Sequence, residues 1–172
     1  TQIYNSSNYG ILAQTGKIVG ENIVINNAGV ASLACLYGGD YHFTHSTFNN
    51  NWNSSSQVAV LVSNFITGAV PESKDLTQAT FNNCIIYGSY SNEMLLNKKA
   101  TSVFNYQFNH CLLKFNNSSN LFTNDPLYKF ETDATHYSGI ILNKDPKFFK
   151  VNQNQLNIDN TSAAFAKGNL SY

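Results

Sequence analysis

The stretch Phe81-Asn82-Asn83-Cys84-Ile85-Ile86 decides how this chain is read, because it comes back. Phe108-Asn109-His110-Cys111-Leu112-Leu113 repeats it, as do Phe43-Thr44-His45-Ser46-Thr47-Phe48 and Ile25-Asn26-Asn27-Ala28-Gly29-Val30. Ile3-Tyr4-Asn5-Ser6-Ser7-Asn8 is a degraded fifth copy. Each copy runs apolar, polar, Asn or His, small, any residue, then usually apolar again. Strand side chains alternate with period two, so apolar Phe81 and Ile86 cannot share one face of an unbroken strand. The conflict disappears if Asn83 turns the chain in a left-handed conformation, which Asn tolerates better than most residues. Phe81 then points inward before the bend, and Cys84 and Ile86 point inward after it. Stacked copies predict a structural corner ladder of Asn5, Asn27, His45, Asn83 and His110, with amide hydrogen bonds along it. Ser6, Ala28, Ser46, Cys84 and Cys111 form the neighbouring column.

Consecutive ladder residues lie 22, 18, 38 and 27 positions apart, and self-similarity at about 20 to 50 residues is the mark of a solenoid. No helical period accompanies it. A second apolar segment recurs between the bends as Gly10-Ile11-Leu12-Ala13, Ser32-Leu33-Ala34-Cys35-Leu36, Val58-Ala59-Val60-Leu61-Val62 and Glu93-Met94-Leu95-Leu96. Such near-continuous apolar runs suit buried parallel strands. A third strand precedes each bend: Asn22-Ile23-Val24-Ile25, Tyr41-His42-Phe43, Ala79-Thr80-Phe81 and Tyr106-Gln107-Phe108. The expected fold is all-β: a right-handed parallel β-helix with three strands per rung. Residues 1–113 form its rungs and 114–172 the last rung and a C-terminal cap of the same domain.

Two insertions interrupt the repeat. Residues 49–57 are a polar loop with the single tryptophan, Trp52, and 67–77 hold Gly68, Pro71, Glu72, Lys74 and Asp75. The second makes the 38-residue interval one enlarged rung. In the tail, Asp125-Pro126 and Asp145-Pro146 initiate turns, and 162–166 suggest a short helical turn ended by Gly168. Phe148, Phe149, Val151, Leu156 and Ile158 are the candidates to cover the open end of the stack.

Composition narrows the function classes. Charged residues make up only 12% of a chain that is 42% hydrophobic, which argues against disorder. A net charge of +0 removes the electrostatic case for nucleic acid, and no apolar run approaches the ~20 residues of a membrane-spanning helix. The ten basic residues are all lysines. Three cysteines, an odd count, do not resemble a secreted disulfide scaffold, and parallel in-register vectors at Cys84 and Cys111 disfavour a bridge. Sequons at Asn5, Asn53, Asn116, Asn117, Asn160 and Asn169 are what an Asn- and Ser-rich chain produces by chance. The chain opens directly into a degraded repeat, and is read as part of a longer protein with earlier rungs before it.

The Phe-x-Asn/His-Cys segments, followed by Lys144-Asp145-Pro146-Lys147-Phe148 and the 156–164 stretch, resemble the C-terminal part of right-handed parallel β-helix proteins of the pectate-lyase-like superfamily. The resemblance covers nearly the whole chain and implies a bacterial surface or secreted protein, exposed extracellularly or anchored as a lipoprotein. It departs from the usual terminal Ala-Gly, replaced here by Ala166-Lys167-Gly168. The superfold hosts many functions, so the resemblance speaks for architecture and not for activity.

Chemistry is sparse. His45, His110, Cys84 and Cys111 have the residue types of a zinc site, but the repeat places the cysteines inside and the histidines at the bends, so no metal and no cofactor are expected. Glycoside hydrolysis needs paired carboxylates, and none of the ten acids recurs at equivalent positions on adjacent rungs. A lyase acting on uronates needs a cation beside its base; with no arginine, only Lys74, Lys98 or Lys99 could serve. No catalytic residue is assigned. Glycan rings stack on exposed aromatics, which makes Trp52, Tyr37, Tyr41, Tyr87 and Tyr90 the glycan-binding candidates, with half-buried strand positions as the plain alternative. Thr44, Thr47 and Thr80 do not make the threonine ladder of an ice-binding face. The expected role is a non-catalytic, structural or glycan-facing surface domain with a polysaccharide as partner. The alternatives are a carbohydrate-binding module acting through exposed aromatics, or part of a polysaccharide lyase or hydrolase completed by other rungs.

Overall fold

A computed structural model describes residues 1–52, 56–68 and 72–172. In chain order the first strands are β1 (Gln2–Ser6), β2 (Tyr9–Gln14), β3 (Lys17–Glu21), β4 (Val24–Ala28), β5 (Ala31–Leu36) and β6 (Gly39–Thr44). Next come β7 (Thr47–Asn50), β8 (Val58–Ser63), β9 (Phe65–Ile66), β10 (Glu72–Ser73), β11 (Leu76–Asn82) and β12 (Ile85–Gly88). The last are β13 (Met94–Asn97), β14 (Phe104–Asn109), β15 (Leu112–Leu113), β16 (Tyr137–Ser138) and β17 (Ile141–Leu142). Among the described residues the helical structure is confined to two 3-10 turns, Pro126–Tyr128 and Val151–Gln153.

Successive strands fall in different sheets, and all three large sheets are parallel. The first is ordered β1-β4-β7-β12-β15-β17, the second β2-β5-β8-β13, and the third β3-β6-β11-β14-β16. The chain is therefore all-β, and each circuit lays its strands on those of the circuit before. The 38-residue interval is one circuit: β9 and β10 pair antiparallel as a small hairpin between β8 and β11. Asn53 and Pro71, each part of a loop expected from the sequence, lie outside the described residues.

Bends between the third and first sheets occur at Asn22, His45, Asn83, His110 and Gly139, all with φ between 50° and 62°. Register joins the preceding residues Glu21, Thr44, Asn82, Asn109 and Ser138 in one row. The bends from Asn22 to His110 each donate their N–H to the next circuit, as in His45 N to Asn82 O at 3.0 Å and Asn83 N to Asn109 O at 2.9 Å. His45, Asn83 and His110 thus share one column, whereas Asn5 and Asn27 do not belong to it. They are left-handed too (φ 59° and 60°), but they lie in β1 and β4 of the first sheet, where Asn27 donates to Asn5 Oδ1 at 3.1 Å. The place expected for Asn27 is taken by Asn22. The physical reason is that the same local code, an Asn tolerating positive φ before a small residue, serves two different bends.

The adjoining column follows suit: Ile23, Ser46, Cys84, Cys111 and Ile140, without Ser6 and Ala28. Small polar residues recur here because they hydrogen-bond the backbone around them. Ser46 Oγ donates to Thr44 O at 2.9 Å and accepts from Ile23 N at 3.2 Å. Cys84 Sγ reaches Asn82 O at 3.3 Å, and Cys111 Sγ reaches Phe81 O at 3.3 Å. Cys35, Cys84 and Cys111 are all free and buried.

Inside, Phe43, Phe81, Phe108 and Tyr137 share one register row and stack ring on ring, with centroids 5.4, 4.8 and 5.7 Å apart. Gly20 continues that row; a Cβ there would meet Phe43 at 3.0 Å and Ile23 at 2.6 Å. After β15 no strand joins the second sheet. Residues 116–136 occupy that place, packing Phe122, Tyr128 and Phe130 on Phe115 at 4.6 to 5.3 Å. The Tyr128 hydroxyl accepts from Leu96 N at 2.8 Å, meeting the free edge of β13 as a further strand would. Phe148, Phe149, Val151, Leu156 and Ile158, from which an apolar cover was expected, are not in this cluster. Among those five only Leu156 is buried, and Phe149 is 65% exposed. The turn after Ser162 is ended by left-handed Ala166 (φ 52°), two residues short of Gly168.

Candidate functional site

The five aromatic candidates do not form one row. Tyr41 is wholly buried in the third sheet, its hydroxyl donating to Gly38 O at 2.7 Å and its pKa pushed up to about 12 by burial. It cannot present a ring to a ligand, because its strand position faces inward with Phe43. Tyr37, half-buried at the bend after β5, donates to the Glu72 carboxylate, which raises its pKa, and carries Lys74 Nζ 4.8 Å from its ring centroid. Tyr87 is half-buried on β12, with Lys114 Nζ 4.9 Å over its ring. Trp52 and Tyr90, also half-buried, follow the paired residues Asn50 and Gly88 on successive circuits.

A concave site forms where β9, the ends of β13 and β14, and the 125–136 segment meet. Its volume is about 540 Å³, within the range of ligand clefts. Phe65, Leu96, Pro126 and Leu127 provide apolar lining, and Lys98, Asp125, Asp133 and His136 provide polar groups. His136 Nδ1 pairs with Asp133 Oδ2 at 2.6 Å, and its ring stacks on Tyr106 with centroids 4.2 Å apart. Asp133 Oδ1 accepts from Thr135 N (3.1 Å) and His136 N (3.3 Å), and Asp125 Oδ1 accepts from Leu127 N (2.9 Å). Burial pushes the Asp133 carboxyl up, but the His136 hydrogen bond and charge with the two N–H donors outweigh it, leaving it below the usual carboxylate range. Sequence reasoning did not group these residues. The one local signal was Asp133 three residues before His136; Phe65 and Lys98 come from distant segments that only folding brings near.

The outer side of the first sheet is covered by the tail. Asn26 and Asn49 are buried there, and Asn26 Nδ2 donates to Val151 O (3.2 Å) and Asn154 Oδ1 (2.8 Å). Further on, the bend residues hold residues 166–172. Asn83 Oδ1 accepts from Asn169 N at 2.8 Å while Asn83 Nδ2 donates to Asn169 O at 2.9 Å. His45 Nε2 lies 3.1 Å from Tyr172 O, and His110 Nε2 lies 3.4 Å from Asn169 Nδ2. The bend residues of the third-to-first turn are a gripping surface as well as a structural ladder.

One carboxyl is isolated from both places. Glu93 is fully buried at the start of β13; burial raises its pKa to about 8, which the Tyr90 N–H, the nearby Lys114 ammonium and the Ala59 N–H do not offset. Its Oε1 accepts from Tyr90 N at 2.7 Å, and its Oε2 has no hydrogen-bond partner among the described residues. No group of three or more His, Cys, Asp and Glu that could hold a metal ion comes together among the described residues. No helix among them is long and apolar enough to cross a membrane. Comparison with protein-family models, curated proteins and solved structures finds no match to this chain.

Proposed function

We propose that the chain is a right-handed parallel β-helix with three strands per coil, closed at its last coil by residues 116–136. In this reading it is an extracellular or cell-surface module that binds a glycan without cleaving it. Right-handedness is supported by the parallel pairing of each strand with one a full circuit later, since crossover connections between parallel strands are right-handed in about 98% of cases. The observation that carries the function is the cleft of Phe65, Leu96, Lys98, Asp125, Asp133 and His136. It sets an apolar wall, suited to the faces of sugar rings, against donors and acceptors suited to their hydroxyls.

Binding is favoured over hydrolysis by the state of the acids. A glycosidase needs a carboxylic acid that keeps its proton near neutrality. Asp133 is held ionised, and the raised carboxyl, Glu93, is shut inside the coil. A glycan array on the 172-residue chain followed by titration calorimetry tests the reading. Phe65→Ala and Lys98→Ala are each expected to weaken the captured glycan about tenfold, equal to ~1.4 kcal/mol, at an unchanged unfolding midpoint. Capture insensitive to both variants refutes the assignment to this cleft, and new reducing or unsaturated ends in a uronate-polymer assay refute the non-catalytic reading.

A further inference from the structure

The hold on residues 166–172 consists largely of hydrogen bonds, most of them to the main chain. Phe165 is 49% exposed, Tyr172 is 45% exposed, and Leu170 is fully exposed at 102%. What secures the segment is the pair of Asn83 hydrogen bonds to the peptide groups of Asn169, the contact of His45 with Tyr172 O, and that of His110 with the Asn169 side chain. An amide that both donates to and accepts from one residue's backbone reads the main chain of that residue, whatever its side chain. Two features add selectivity. A Cβ at Gly168 would sit 3.3 Å from the Asn83 amide, so the close approach suits glycine. Asn169 also bends the end of the segment, its Oδ1 accepting from Ser171 N at 2.9 Å. Beneath the segment lies a groove of about 240 Å³ whose lining includes His45, Cys84 and Ile85. A few hydrogen bonds of small net value stand against the entropy of ordering seven residues, so this segment belongs to the least stable part of the molecule.

We propose that the flank at His45, Asn83 and His110 is an exchangeable peptide site. It recognises a Gly-Asn-x-Ser-Tyr segment that turns after Asn169, and the partner it fits is residues 166–172 of a second copy, seated in trans when the cis segment lifts. The occupant is chosen by what already lies there: the site is complementary to this chain's own sequence, and exchange of an identical element is a low-cost route to a dimer. The cis segment competes through its tether, so exchange depends on protein concentration against an effective concentration on the order of millimolar.

The test uses the full 172-residue chain and a fluorescein-labelled heptapeptide of residues 166–172, read by anisotropy. Gly168→Val crowds the Asn83 amide and vacates the site, so this variant is expected to bind the peptide at least tenfold more tightly than the unmodified chain. Adding Asn83→Ala to it is expected to abolish that gain, and a peptide with valine in place of glycine is not captured. Hydrogen exchange of the Asn169 amide reports whether Gly168→Val has released the segment. An amide as protected as before, or release without capture, overturns the site; capture that survives Asn83→Ala overturns its assignment to Asn83. Sedimentation of the unmodified chain up to ~1 mM is expected to show a dimer that excess peptide dissociates. Peptide capture without such a dimer overturns the second copy as partner.

Discussion

Glu93→Gln is the substitution whose effect follows most directly from the structure. The Glu93 carboxyl is fully buried and its pKa stands at about 8 in the folded chain, against an ordinary value of 4.5. Below about pH 4.5 both folded and unfolded chains hold the proton, and Glu93 adds no pH dependence. Above it the unfolded chain releases the proton while the folded chain keeps it up to about pH 8, so stability falls as pH rises through this window and levels off beyond. At 1.36 kcal/mol per pKa unit the loss is on the order of 3–5 kcal/mol, a large share of a domain's total of roughly 5–15. Glutamine keeps the acceptor for Tyr90 N–H and carries no titrating proton. Urea unfolding followed by circular dichroism at half-unit steps from pH 4 to 9 is the assay. The unmodified chain should lose stability between pH 4.5 and 8, and Glu93→Gln should remove most of that slope, so that it is the more stable form at pH 8. Equal slopes in the two proteins would refute the assignment of the titration to Glu93, and a flat profile in the unmodified chain would refute its burial as an uncompensated carboxyl.

Two further predictions address the frame of the fold. Phe81→Ala removes the ring between Phe43 and Phe108 and is expected to cost about 3–5 kcal/mol in urea unfolding, whereas Phe149→Ala, at an exposed position, should fall within ~0.5 kcal/mol. Asn22→Ala forces an alanine into φ near 52° and should cost about 1–2 kcal/mol, with Asn22→Gly costing less than half of that. Equal costs for the two would show that Asn22 does not occupy the bend.

Much of the frame was legible because it rests on local rules. Phe81-Asn82-Asn83-Cys84 reads as strand, bend and inward small residue from the period of two and the tolerance of Asn for positive φ, and its partners at 43–46 and 108–111 behave alike. The same locality explains the error at Asn27. Its sequence encodes a left-handed residue and gets one, but nothing within six residues states which sheet flanks it; that depends on strand register, and β4 pairs Ile25 with Phe48, not with Phe43. Tyr41 was a different kind of miss: it stands two residues before inward Phe43 and shares its face by the same alternation, which the neighbouring Gly38-Gly39 turn obscured.

What the sequence determined alone is the repeating unit: parallel strands, Asn- and His-marked bends, free buried thiols and a Phe column set by alternation. What only the tertiary structure decided is which surfaces meet. Phe65, Lys98, Asp125 and His136 line one cleft, Tyr128 meets the edge of β13, and Asn83 grips Asn169, through contacts spanning 32 residues for Tyr128 with Leu96 and 86 for Asn83 with Asn169. Alternation and backbone tolerance act between neighbours and are written in neighbouring letters. Burial and hydrogen-bond satisfaction act between whatever the stacked circuits bring together, and no local pattern holds that information.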